Sequence, residues 1–285
     1  MGKVAVVTDS TAYMPIELTK DLPVYTVPLH LVIDNEMFQD GVTMQPDAFY
    51  TLQQESNVVP TTSQPSPEEF KDQFSKLCAM GYDVICIVIS SGMSGTFNSA
   101  EQARLALPEA NINVVDSKLT SMGLGFPVII VAQAAKDGAS LQECTALAEQ
   151  ACRQSGAIFT VSTLKYLHLG GRINSASAFL GTALNLKPIL ELRGGKIEAM
   201  ERVRTYSKAL NRLADILLER SVGHSTIRLG YLLAKTIEEA KILDEKIHSK
   251  VDSNKIIQTV FVDISPVIGA HTGPGTLGVA YSFDL

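Results

Sequence analysis

The chain has 285 residues, 46% of them hydrophobic and 19% charged, with a formal net charge of -6. That length accommodates one large or two moderate globular domains, and an acidic balance without a dense basic cluster excludes nucleic-acid binding. No apolar run approaches the roughly 20 residues a membrane helix needs. The four cysteines, Cys78, Cys86, Cys144 and Cys152, form no Cys-x-x-Cys pair and point to buried thiols in a reducing, cytoplasmic setting.

Residues 3–8 predict a strand, not a signal peptide, and Val6 breaks the myristoylation pattern that Met1-Gly2 would open. A second strand is predicted over 24–33, with a turn at Asp34-Asn35 and a short return through 38–41. Helical spacing over 67–80 carries Glu68 and Glu69 in the first turn, and Ser66 with Glu69 fits a capping box. The apolar run 84–89 reads as a buried strand that breaks into Ser90-Ser91-Gly92-Met93-Ser94-Gly95-Thr96 before a helix over 97–103. A strand follows at 111–116, then helices at 125–136 and 140–152.

The second half reads as a strand at 157–161, an apolar helical segment at 176–183 and a hairpin of 187–192 with 196–202 about Arg193-Gly194-Gly195. A helix at 206–219, a strand at 227–233, a helix at 237–250 and strands at 256–262 and 276–283 complete the chain. Such alternation predicts an α/β fold of two α/β domains, residues 1–155 and 156–285. The N-terminal domain should hold a mostly parallel sheet flanked by helices, with a ligand cleft between the domains.

The loop 90–96 is the most informative segment. A strand ending in hydroxyls and glycines before a helix presents unpaired backbone N–H groups and a dipole that favours an anion. This loop holds no Lys, Arg, Asp or Glu, so it suits an oxyanion held by neutral donors. Gly92-Met93-Ser94-Gly95 does not match the Gly-x-Ser-x-Gly nucleophile elbow, although Ser94 with His271 as base leaves a serine hydrolase or acyl transferase as the alternative. Thr61-Thr62-Ser63-Gln64-Pro65-Ser66 carries more hydroxyls than a helix cap requires. In Gly170-Gly171-Arg172, two glycines permit a close backbone approach beside a guanidinium suited to carboxylate or phosphate. His271 lies in a glycine-rich stretch, 269–275, whose Gly-x-Gly-x-x-Gly spacing lacks the following helix of a dinucleotide site. Asp9-Ser10-Thr11 and Asp116-Ser117 read as Asx or N-cap turns. No histidine pair has metal-ligand spacing, and no Walker-type loop is present.

Taken in order, Thr8-Asp9-Ser10, Thr61-Thr62-Ser63-Gln64-Pro65-Ser66, Ser91-Gly92-Met93-Ser94-Gly95-Thr96, Val115-Asp116-Ser117, Gly170-Gly171-Arg172-Ile173 and Gly269-Ala270-His271-Thr272-Gly273-Pro274-Gly275 resemble the DegV family over essentially the whole chain. That family includes the FakB-type fatty-acid-binding subunits of bacterial fatty acid kinase. The resemblance implies a lipid carrier, not an enzyme in itself. A long-chain fatty acid would be buried between the domains and its carboxylate presented to a separate ATP-dependent kinase subunit, which forms an acyl phosphate for phospholipid synthesis. It further implies that Thr62, Ser94 and His271 hold the carboxylate and that Arg172 engages the phosphate or the kinase. No metal and no cofactor other than the bound lipid is expected; passing contact with a membrane surface is. The apolar segments 124–132 and 176–184 are candidate tunnel walls.

Overall fold

The computed structural model describes residues 3–55, 60–179 and 186–285. Strand β1 (Lys3–Asp9) passes through a tight turn at Ser10–Ala12 to helix α1 (Ile16–Thr19), β2 (Val24–Val27), β3 (His30–Ile33), β4 (Glu36–Gln39) and α2 (Pro46–Glu55). There follow β5 (Thr61–Ser63), α3 (Pro67–Ala79), β6 (Tyr82–Val88), α4 (Thr96–Leu105), β7 (Ile112–Asp116), α5 (Ser121–Lys136) and α6 (Leu141–Gln154). Next come β8 (Ser155–Thr160), α7 (Lys165–Leu169), a 3-10 turn at Asn174–Phe179, and the hairpin β9 (Lys187–Arg193) and β10 (Lys196–Val203). The chain closes with α8 (Tyr206–Ser221), β11 (Ile227–Leu233), α9 (Ile237–His248), β12 (Ile256–Asp263), α10 (Pro266–Thr272) and β13 (Leu277–Phe283).

The first sheet, in the order β2-β1-β6-β7, is parallel throughout. Its central strands are buried on both faces because alternate side chains serve different helices. Ala5, Val7, Val84, Cys86 and Val88 pack under Phe70, Phe74 and Leu77 of α3 and Ala100 and Ala103 of α4. Val4, Val6, Ile85 and Ile87 pack under Leu124, Val128 and Val131 of α5 and Cys144 and Ala148 of α6. Capping boxes at Ser66 with Glu69 and at Ser140 with Glu143 start α3 and α6, satisfying backbone donors that would otherwise lack partners.

The second sheet runs β10-β9-β8-β13-β11-β12, with only β11 and β12 parallel. Helices α8 and α9 cover Ile158, Ile189, Leu229, Tyr231 and Val279 on one face. On the other, Met122 and Phe126 of α5 meet Ala157, Leu232 and Ala280. Helix α5 therefore lies between the two sheets, which is why its sequence is apolar on nearly every side. A small antiparallel sheet, β4-β3-β5, stands apart and pairs Leu31 with Thr62.

Several elements differ from the sequence expectation. The single strand over 24–33 is two strands in two sheets, broken at Pro28-Leu29, where proline removes a ladder donor. The hydroxyl run at Thr61–Ser63, in excess of what a helix cap requires, is an edge strand, and Ser66 alone caps α3. His271 lies in the last turn of α10 and not in a glycine-rich loop; Ser265 caps that helix and Pro266 begins it. Helices α1, α2 and α7 were not anticipated: α1 and α7 span only four and five residues, too few for a periodic signal, whereas α2 does carry a buried stripe, Pro46, Phe49, Tyr50 and Gln53. The segment 176–183 begins in the 3-10 turn at Asn174–Phe179, and its remainder lies outside the described residues. Among the described residues, no helix is long and apolar enough to cross a membrane.

Candidate functional site

The loop after β6 is held from three directions. The Ile89 N–H donates to Asp9 Oδ2 at 2.6 Å, and the Ser91 N–H to Asp116 Oδ1 at 3.1 Å. Ser90 Oγ donates to the Gly195 carbonyl at 2.7 Å, joining this loop to the β9–β10 turn 105 residues away. That approach depends on Gly195, whose φ of +81° lies in the left-handed region and where an added Cβ would sit 2.5 Å from Ser90 Oγ. The loop's own sequence has no charge, but the fold brings one beside it. Lys118 forms an ion pair with Asp116 and donates to Ser91 Oγ at 3.2 Å. Although burial opposes it, hydrogen bonds from Lys118 and Ser91 hold the Asp116 carboxyl below its usual range.

Ser94 lies 2.8 Å from Thr96 Oγ1 and accepts from the Thr96 N–H at 3.3 Å, so its hydroxyl helps to start α4. Thr62, on β5, and His271, on α10, meet at 2.8 Å between Oγ1 and Nε2. Arg172 closes the same end. Its Nε and Nη2 donate to the Met93 carbonyl at 3.2 and 3.1 Å, and its Nη1 to the Gly170 carbonyl at 2.6 Å. Gly170 makes room for the imidazole, because an added Cβ there would stand 2.1 Å from His271 Nδ1. Burial, and then the positive charge of Arg172, lower the His271 pKa from 6.5 to about 4, so the ring is neutral at pH 7. His271 Nδ1 is buried with no hydrogen-bond partner.

All four of these sequence-predicted residues line one cavity, about 820 Å³ of atom-free space including its open mouth. Thr62, Ser94, Arg172 and His271 are each half-buried, as befits an opening. Beyond them most of the wall is apolar, with Gln64, Thr120, Ser121, Thr272 and Thr276 among the polar exceptions. Ile89, Met93, Phe159 and Ile197 belong to one core cluster, and Leu29, Ala157, Leu232, Ile264 and Val267 to another. The cavity is thus a recess where the strand ends of the first sheet face the second sheet and α10. Among the described residues, no group of three or more His, Cys, Asp or Glu side chains is placed to hold a metal.

Two expectations need correction. Residues 124–132 do not line the cavity; Leu124, Phe126, Val128, Val131 and Ala132 are spent on the core between the sheets. Ser94 and His271 do not form a hydrogen-bonded nucleophile–base pair: the imidazole bonds Thr62, the serine bonds Thr96, and no third group orients the ring through Nδ1. The wall segment 176–184 lies partly outside the described residues.

Sequence reasoning missed Gln64, Met93, Thr120, Ser121, Thr272 and Thr276, all of which line the cavity. Gln64 and Met93 stood within the quoted motifs without a role. Thr120 and Ser121 carried a detectable signal, two hydroxyls directly before an apolar helix.

A family profile described as "Uncharacterised protein, DegV family" matches residues 3–284. A DegV domain-containing protein of Streptomyces coelicolor is 36% identical over 281 residues, covering 98% of each chain. The solved structure of a DegV family protein from Thermus thermophilus, described for its fatty acid binding, superposes with a TM-score of 0.90 at 32% identity, covering 99% of this chain and 100% of that one. A stearic acid-binding protein from Eubacterium ventriosum superposes with a TM-score of 0.87 at 26% identity, covering 99% and 98%. With a matching profile over almost its full length, and relatives and solved structures alike end to end, this chain belongs to the DegV family.

Proposed function

We propose that this protein binds one long-chain fatty acid, with the acyl chain in the apolar recess and the carboxylate at Thr62, Ser94 and His271. The observation that carries this reading is the division of one cavity into an apolar interior and a half-buried polar end built from four segments distant in sequence. Burying the chain gains about 0.8 kcal/mol per methylene. A carboxylate buried without partners would forfeit much of that gain. Hydroxyls and a neutral imidazole at the mouth can bond it while leaving an oxygen open to a second reactant. The printed descriptions of the Thermus and Eubacterium proteins, fatty acid binding and stearic acid binding, support the same ligand class.

The finer reading is a FakB-type carrier without catalysis of its own. It presents the carboxylate to a separate ATP-dependent kinase subunit, in the cytoplasm, with passing membrane contact when lipid is exchanged. Arg172 is the residue assigned to the phosphate or the kinase. Three of its N–H groups serve backbone carbonyls, which leaves part of the fork for an anion. The division at residue 155 into two domains goes with this reading, each domain supplying part of the cavity wall.

Native mass spectrometry of the purified protein, with extraction of any bound molecule, tests the binding class. One fatty acid per chain is expected; an empty protein that ignores added fatty acid overturns the proposal. Acyl-phosphate formation with a fatty acid kinase subunit and ATP, lost in Arg172→Ala with lipid occupancy retained, tests the carrier role.

A further inference from the structure

Thr120 is 7% exposed and Ser121 6%, and both line the cavity, whose wall also carries Ile89, Phe159, Leu192 and Leu232. Thr120 Oγ1 is buried and has no hydrogen-bond partner. Thr120 is also the N-cap residue of α5, where threonine ordinarily accepts a bond from the first turn, yet its side chain makes no capping bond. Ser121 has a φ of +51°, a left-handed conformation that costs a non-glycine residue energy and that concentrates at functional sites. The start of a 16-residue helix thus opens at an acyl-chain cavity with its dipole uncapped and a hydroxyl unspent.

A saturated chain gives these groups nothing to bond. The carboxylate is provided for by the half-buried Thr62, Ser94 and His271, whereas Thr120 is buried. We propose that Thr120 and the first turn of α5 form a second polar station in the cavity, one that takes an oxygen substituent carried on the acyl chain, as in a hydroxy fatty acid. This rests on the fatty-acid reading above and narrows its substrate class. A hydroxyl on the chain would accept from Thr120 or from a first-turn N–H and relieve the unpaired group. A site built to bond a substrate hydroxyl discriminates strongly against the analogue lacking it, because its own polar groups are then left buried and unpaired.

The test uses delipidated protein and displacement of a fluorescent acyl probe. The competitors are octadecanoic acid and its hydroxy derivatives substituted near the carboxyl, at mid-chain and near the methyl end. In the wild type, one hydroxy isomer is expected to bind about tenfold tighter than octadecanoic acid, the worth of one hydrogen bond in a dry site. Thr120→Val should abolish that preference and bind octadecanoic acid at least as well as the wild type; Thr120→Ser should keep the preference. Octadecanoic acid binding as tightly as every hydroxy isomer, or a preference that survives Thr120→Val, overturns this proposal alone. Failure of the wild type to bind any of the acids overturns the fatty-acid reading together with it.

Discussion

Thr62 Oγ1 and His271 Nε2 stand 2.8 Å apart, although 209 residues separate them in the chain. One comes from an edge strand of the small sheet and the other from the last turn of α10, so the pair exists only when those two elements dock. The neutral imidazole leaves the threonine hydroxyl both a donor and an acceptor, and the hydroxyl can serve the ring and a ligand oxygen at once.

Removing that hydroxyl should weaken fatty-acid binding without unfolding the protein. Thr62→Val is expected to reduce affinity about 10- to 100-fold, the worth of a hydrogen bond to a charged group of about 1.5–3 kcal/mol. Ser94→Ala should act similarly on binding and also lower stability by about 1 kcal/mol, because Ser94 accepts from the Thr96 N–H at the start of α4. Displacement titrations and urea unfolding of both variants check this. Wild-type affinity in Thr62→Val removes the hydroxyl from the site.

His271 gives the fold a pH dependence of definite sign. Its folded pKa, about 4, lies below the unfolded value of 6.5, so the unfolded chain binds the extra proton between those limits. Its contribution is complete above pH 6.5 and is lost as pH falls toward 4, by up to about 3 kcal/mol at about 1.4 kcal/mol per unit. The stability difference between wild type and His271→Gln, measured by urea unfolding from pH 7 to pH 4, should shift against the wild type as the pH falls. A constant difference would show that the ring titrates normally.

Asp40 acts with the opposite sign. Its carboxylate accepts from Ser10 Oγ at 2.7 Å and from the Val267 N–H at 3.1 Å, tying the region after β4 to the start of the helix that carries His271. Burial raises its pKa from 3.8 to about 7. A carboxyl with a raised folded pKa stabilises the fold below the unfolded value and loses that contribution as pH rises through 7. Asp40→Asn should therefore gain on the wild type between pH 4 and pH 8, by up to about 4 kcal/mol. Parallel stability profiles for the two proteins would place the Asp40 titration outside this window.

Gly170→Ala should damage the site more than the fold. The new Cβ would stand 2.1 Å from His271 Nδ1 and 3.1 Å from the Tyr166 carbonyl, so the imidazole must move away from Thr62. A loss of fatty-acid affinity at least as large as that of Thr62→Val is expected, with far-ultraviolet circular dichroism unchanged. Retained affinity would mean that the imidazole position is not needed for binding.

The sequence alone determined what short-range physics can encode. Short apolar runs marked β1, β6 and β7, the Ser66 capping box marked the start of α3, and Asp9 and Asp116 formed the local turns their residue types favour. It also supplied, through resemblance, the names Thr62, Ser94, Arg172 and His271. What it could not supply was their company. Whether the run 24–33 is one strand or two depends on which strands it pairs with, β1 on one side of Pro28 and β4 and β5 on the other; which apolar residues line a cavity and whether His271 faces Ser94 or Thr62 depend on contacts between segments more than a hundred residues apart. An apolar side chain looks the same in sequence whether it meets another side chain or a ligand. Only the docking of α5 between two sheets, and of α10 against β5, decided which surfaces were left unfilled and which histidine lost its proton to burial.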